Sequence, residues 1–280
     1  MVLDLHVANA AFRGNTDAVK AWLAADPTRV NDFATFPDTD IKYTLLAIAV
    51  TSSPAQHPNE AKLSLARWLL ANGADPTIYH PGSLTPLYQA AGCAGRGGAT
   101  LEMVSTLLQA APIERQISSG MSPLRSPIVH GFSTNIDGSF DNYRPAEVVE
   151  VIRLLLRAGA PLDDYAGFEA TEAAPRFSAD ATLRDAETKY PVLARLPPFV
   201  ELRAMIDGVR ACGGWTSYCR LPHKQVLRLR SLVSRGRARP WGQWKRYGYA
   251  ARQDGAVTFL CKLGDNGVVW KILEFWQATR

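Results

Sequence analysis

At 280 residues, 47% hydrophobic and 20% charged, the chain is long enough for one or two domains with a sizeable core and has the composition of an ordinary soluble protein. Its apolar runs stop short of the roughly 18 residues that a membrane-crossing helix needs, and the start MVLDLHVANAAFRG, with Asp4 and no basic lead, makes a poor secretory signal. The net charge of +5 is uneven: residues 203–252 hold twelve Lys or Arg against the single acid Asp207, so that window carries +11 and the rest of the chain −6.

The chain opens with four units that share one plan: a short apolar helix containing a small-residue pair, then a longer amphipathic helix. The first has Ala10-Ala11 and Gly14-Asn15, then a helix through Val19, Trp22 and Leu23 that closes at Asp26-Pro27. A long linking segment with Phe33, Phe36 and Tyr43 in a polar setting follows. The second unit has Thr44-Leu45-Leu46 and Ala49-Val50, then Leu65, Trp68, Leu69 and Leu70, closing at Gly73-Ala74-Asp75. The third has Thr85-Pro86-Leu87 and Ala90-Ala91, then Val104, Leu107 and Leu108, closing at Ala111-Pro112. The fourth has Ser122-Pro123-Leu124, then Val148, Val149, Ile152, Leu154, Leu155 and Leu156, closing at Gly159-Ala160-Pro161. Apolar residues at helical spacing in each second helix demand a buried stripe, which stacked units supply to one another.

The plan is sharpest from Ala71 to Ala91, ANGADPTIYHPGSLTPLYQAA. Gly73 lacks a Cβ and suits the left-handed residue that ends a helix. Thr85 can cap the next helix through its hydroxyl, Pro86 fits its first turn, and small Ala90 and Ala91 permit close helix packing. This segment resembles the join between two ankyrin repeats, in which G-A-D-x-x is followed, twelve residues after its Gly, by T-P-L-x-x-A-A; Gly73 to Thr85 has that spacing. The resemblance implies a mainly α fold: an ankyrin-type α-solenoid with short finger hairpins over residues 1–177. It also implies a protein-binding scaffold or adaptor, whose usual contact surface is the finger tips and the exposed side of the first helices. Carried over by position, that surface takes Tyr79, His80, Pro81 and Leu84 from the third repeat and Ile117, Ser119 and Met121 from the fourth. Phe33, Phe36 and Tyr43 join it as contact aromatics on the first finger, or else fold back to cap the first repeat.

Departures from the family pattern are informative. About fifteen residues separate the second residue of the small pair from the closing position in that pattern, and the four units here exceed it by 0, 8, 5 and 16 residues. The excess falls at the turn between the two helices, in TSSPAQHP, GCAGRGG and HGFSTNIDGSFDNYR, so stacking lines the insertions up along one edge. They are either a working face or drift at exposed turns. In the fourth unit Pro127 replaces an alanine, which predicts a short or broken first helix. A fraying fifth unit is expected from Thr171.

From about residue 178 the pattern changes to a basic helical module, 178–280, expected to cap the array. Helices are predicted over Pro198–Ala211, stopped by Gly213-Gly214, and over His223–Ser234. Val257–Leu260 reads as a short extended run, and a last helix starts near Asp265 with Val269, Ile272, Leu273 and Trp276 as its stripe. Between them Arg235, Arg237, Arg239, Lys245 and Arg246 can neutralise phosphates or an acidic partner, and Trp241, Trp244, Tyr247 and Tyr249 can stack on bases. Nucleic-acid or ribonucleoprotein binding is therefore the alternative function. LGDNGVVWKILEFW resembles an F-box helix, which makes a ubiquitin-ligase adaptor a further alternative.

Catalytic chemistry is not expected. Cys212, Cys219 and His223 have an unusual spacing for zinc and no evident fourth ligand. GCAGRGG lacks the Lys-Ser/Thr ending of a phosphate loop. His6, His57, His80, His130 and His223 stand outside the G-x-S-x-G and H-E-x-x-H contexts. Cys93, Cys212, Cys219 and Cys261 are scattered, which suits reduced thiols in a cytoplasmic or nuclear protein. The reading is a non-catalytic protein that needs no cofactor or metal, with another protein as its partner and no small-molecule substrate.

Overall fold

Side-chain caps begin several helices where the sequence places them. In a computed structural model that describes residues 4–35, 42–51, 60–80, 84–95, 98–117, 121–130, 144–164, 176–235 and Val269, the chain is mainly helical, with eleven α-helices and one two-stranded hairpin among those residues. Contacts group it into two units, Met1–Asp207 and Gly208–Arg280. No described helix is long and apolar enough to cross a membrane.

The first unit opens with α1 (Leu5–Phe12) and α2 (Thr16–Ala25), capped by the Asp4 and Asn15 side chains. A single turn of 3-10 helix leads to the antiparallel hairpin β1 (Phe33–Thr35) and β2 (Lys42–Thr44), paired Phe33 to Thr44 and Ala34 to Tyr43. Then come α3 (Leu45–Val50) and α4 (Glu60–Ala71), α5 (Pro86–Ala91) and α6 (Thr100–Ala110), and α7 (Arg125–His130) and α8 (Pro145–Arg157). Thr44 and Thr85 accept the Ala47 and Tyr88 N–H groups, satisfying donors that a helix start leaves open. Gly73 and Gly159, at φ +91° and +100°, take the left-handed conformation that ends α4 and α8.

Odd-numbered helices pack in sequence, α1 on α3, α3 on α5 and α5 on α7; even-numbered helices do likewise, α2 on α4, α4 on α6 and α6 on α8. Each odd helix also packs on the even helix that follows it. The core lies between these layers. The six-residue α3 is buried at every position, and α8 buries Val148, Val149, Val151, Ile152, Leu155 and Leu156, each contributing about 1.5–3 kcal/mol. The stripes differ in detail from the sequence reading: Trp22, Trp68, Leu70, Leu108 and Leu154 are half-buried, while Leu63, Ala66 and Met103 are fully buried.

α7 is short, as Pro127 suggested, but the proline is not the reason. It occupies the third position, where its missing N–H falls among the helix's open donors, and α3 and α5 are equally short. Beyond α8 the chain adds α9 (Ala179–Lys189), which packs on α7, and α10 (Pro197–Ala211), whose Glu201 pairs with Arg153 of α8 and whose Arg203 pairs with Glu187 of α9. No helix was expected over 179–189. Buried Asp164 fastens this end: its carboxylate accepts the N–H groups of Ser122 (2.9 Å) and Phe177 (2.8 Å) and pairs with Arg125 (3.1 Å).

In the second unit, Gly213 and Gly214 turn the chain at φ +74° and +141° before α11 (Trp215–Ser234). α11 corrects the predicted start at His223: it begins eight residues earlier and passes through Pro222. Tyr218 lies so close to Gly208 that a Cβ there would sit 2.4 Å from its ring. The expected extended run at 257–260 and the last helix's cap fall outside the described residues.

Candidate functional site

The sequence-derived contact residues lie on the segments that lead into the odd-numbered helices. Phe33, Tyr43, Tyr79, His80, Leu84, Ile117 and Met121 are all half-buried, so each packs on its own fold and keeps an accessible part. Phe36, Pro81 and Ser119 lie outside the described residues, as do Arg237, Arg239, Trp241, Trp244, Lys245 and Arg246; Arg235 is described and exposed.

Two of the expected residues meet directly. Phe33, on β1, sets its ring edge-on to His80, with centroids 5.8 Å apart and planes at 79°. The approach is fixed from below by Asn31, whose side-chain amide donates to Gly73 O (3.1 Å) and accepts the Asp75 N–H (2.9 Å). Asp75 in turn holds the next turn by accepting from the Thr77 N–H (2.8 Å) and hydroxyl (2.7 Å). The first-hairpin aromatics therefore reach forward to the following segment.

The same face continues through links that the sequence reading missed. Burial raises the Tyr43 phenol above its ordinary pKa, against a hydrogen bond to Gln89 of α5 that lowers it. Tyr88, one position before, is buried and raised for the same reason, and its phenol hydrogen-bonds Ser126 of α7. Arg125 then pairs with Asp164, which follows α8. Each link thus joins one odd-numbered helix or its leading segment to the next. Tyr88 and Gln89 carried a usable signal: they are the aromatic and the polar residue of the otherwise apolar six-residue α5.

The inserted turns adjoin at the ends that are described. The Cys93 thiol donates to Gln89 O (3.3 Å) and lies 3.9 Å from Val50 O, at the start of the first insertion. The Arg144 N–H, at the end of the third, donates to Gly95 O in the second (2.8 Å). Lys62 is buried beneath this edge. Its ammonium donates to Thr51 O (2.7 Å) and lies 4.4 Å from the centre of the Phe12 ring. Desolvation pulls its pKa below the ordinary lysine range.

Among the described residues no three His, Cys, Asp or Glu side chains gather where they could hold a metal, and Cys93, Cys212 and Cys219 are in the thiol form. No protein-family model matches the chain, and no curated protein matches it. The arrangement offers a run of half-exposed aromatic and apolar groups on a rigid frame of hydrogen bonds. Such a surface can bury area against a partner at little cost in side-chain entropy.

Proposed function

We propose that this chain is an ankyrin-type scaffold that binds another protein through the leading segments and exposed sides of its odd-numbered helices. The observation that carries the reading is the packing order: helix pairs stacked so that like packs on like along both layers. The Thr44 and Thr85 caps, the left-handed Gly73 and Gly159, and the twelve-residue step from Gly73 to Thr85 support it. On this reading the pairs form a short solenoid, α9 and α10 cover its last pair, and β1–β2 is an elongated first finger. The contact face is Phe33, Phe36, Tyr43, Tyr79, His80, Pro81, Leu84, Ile117, Ser119 and Met121. The protein acts by holding its partner, as an adaptor or a bound subunit, and performs no catalysis. Its thiol cysteines suit the cytoplasm or nucleus.

The test is capture of a partner by the tagged full-length chain from native lysate treated with nuclease, beside a Tyr79→Ala/Leu84→Asp variant with an unchanged circular dichroism spectrum. The expected result is a nuclease-resistant protein held by the wild type and lost by the variant. Capture that disappears with nuclease, or that the variant retains in full, contradicts the reading.

A further inference from the structure

We propose that α11 is a second, separate binding surface, on which a row of cations docks the sugar-phosphate backbone of a single-stranded nucleic acid. At 100° per residue, Arg220, Lys224, Arg228 and Arg235 fall within about 80° of arc, and at 1.5 Å per residue they span about 22 Å. All four are exposed. Arg235 lies one residue past the helix but keeps its register, because its N–H donates to Ser231 O (3.3 Å). α11 has no acidic residue. The single acid of the basic window, Asp207, is paired with Arg203.

The opposite side of α11 carries Trp215, Tyr218, Val226 and Leu229, all half-buried, with Trp215 and Tyr218 in ring contact at 5.9 Å. This division decides between partners. A helix that inserts into a membrane surface must present its apolar side, whereas here the apolar side is half-buried and the cations are exposed. The outward side is a line of cations spaced four and seven residues apart, three of them arginines. The guanidinium fork grips phosphate oxygens in pairs. The sequence then runs on without an acid through Arg237, Arg239, Lys245 and Arg246, interleaved with Trp241, Trp244, Tyr247 and Tyr249. Cations for phosphates followed by aromatic rings for bases is the chemistry of a single-strand binder.

The experiment titrates the full-length chain with a fluorescent single-stranded RNA of mixed sequence and, separately, with fluorescent poly-glutamate of equal charge, across a range of salt concentrations. The variant is Arg220→Gln/Lys224→Gln/Arg228→Gln. The control neutralises three exposed arginines of the first unit, Arg13→Gln/Arg115→Gln/Arg157→Gln. Gln is a good helix former, and matched circular dichroism shows that the fold is kept. If the triple variant misfolds, Lys224→Gln alone serves. RNA should bind more tightly than poly-glutamate. The slope of log affinity against log salt should fall in magnitude by about 2 in the triple variant, at about 0.7 per lost phosphate contact, and by about 0.7 in the single variant. The control should keep the wild-type slope. Poly-glutamate binding as tightly as RNA would reassign the surface to an acidic protein, and an unchanged slope in the variant, or no RNA binding, would remove α11 from any such role.

Discussion

Lys62 shows how a single side chain can run against its own type. Lysine is expected at the surface, so nothing in the EAKLSLARWLLA pattern marks position 62 as interior, yet it is fully buried. Two contacts make this tolerable. Its ammonium satisfies the Thr51 carbonyl just past the end of α3, and the Phe12 ring faces its charge. Gly14 belongs to the same device, because a Cβ there would press to 3.1 Å on the Lys62 amide nitrogen, and at φ +73° the position favours glycine anyway. The lysine's lowered pKa, caused by desolvation, fixes a pH dependence. Between its folded value and the ordinary lysine value the unfolded chain binds the extra proton, so stability rises with pH through that window, by up to about 1.4 kcal/mol per pH unit. Urea unfolding of Lys62→Met should lack this rise, and the wild type should gain on the variant as pH climbs from 7 towards 10. Parallel curves would mean that the ammonium is not desolvated in the folded chain.

At the scale of elements, the spacing between α5 and α7 rests on Gly92. A Cβ there would sit 2.4 Å from Ser126 Oγ, the group that hydrogen-bonds Tyr88. Gly92→Ala should therefore cost about 1–2 kcal/mol of stability in chemical denaturation, in the range of local overpacking. In a Ser126→Ala background, where the nearest remaining atoms are Gln89 O at 3.4 Å and the residue-126 Cβ at 3.5 Å, the same change should cost less than half as much. Equal costs in the two backgrounds would place the strain elsewhere. How far the elements were legible depended on what marks them. Thr44, Thr85, Gly73 and Gly159 are caps with a local mechanism, and each does what its residue type suggests. α9 gave no such signal: ADATLRDAETK buries Ala179 and Leu183, and apart from two further alanines its other residues are polar. α11 starts at Trp215 rather than at the expected His223, and Trp215, Tyr218, Val226 and Leu229 trace one helical face on both sides of Pro222. Of the candidate site, the apolar half was readable by register. The links Tyr43–Gln89, Tyr88–Ser126 and Arg125–Asp164 were not, because each joins residues far apart in sequence.

For the molecule as a whole, the stacked pairs need a cover where they end. α8 is strongly apolar, and α9 and α10 supply Leu183, Phe199, Leu202 and Ile206 as further buried side chains, with Arg153–Glu201 joining α8 to α10. A chain ending at residue 177 should melt at least about 10 °C below one ending at Asp207, given about 2–4 °C per kcal/mol for a protein of this size and several buried side chains lost. Equal melting temperatures in differential scanning calorimetry would show that the pairs need no cover. The functional account rests on which side of the stack meets a partner. The most direct measurement is site-specific photo-crosslinking of the full-length chain in nuclease-treated native lysate. The photoreactive residue is placed at Tyr79, Leu84 or Ile117 on the proposed face, and at Arg67 or Gln109 on the exposed side of the even-numbered helices. The account predicts that the first three positions crosslink the same protein and the last two do not. Crosslinks confined to positions 67 and 109 would contradict it.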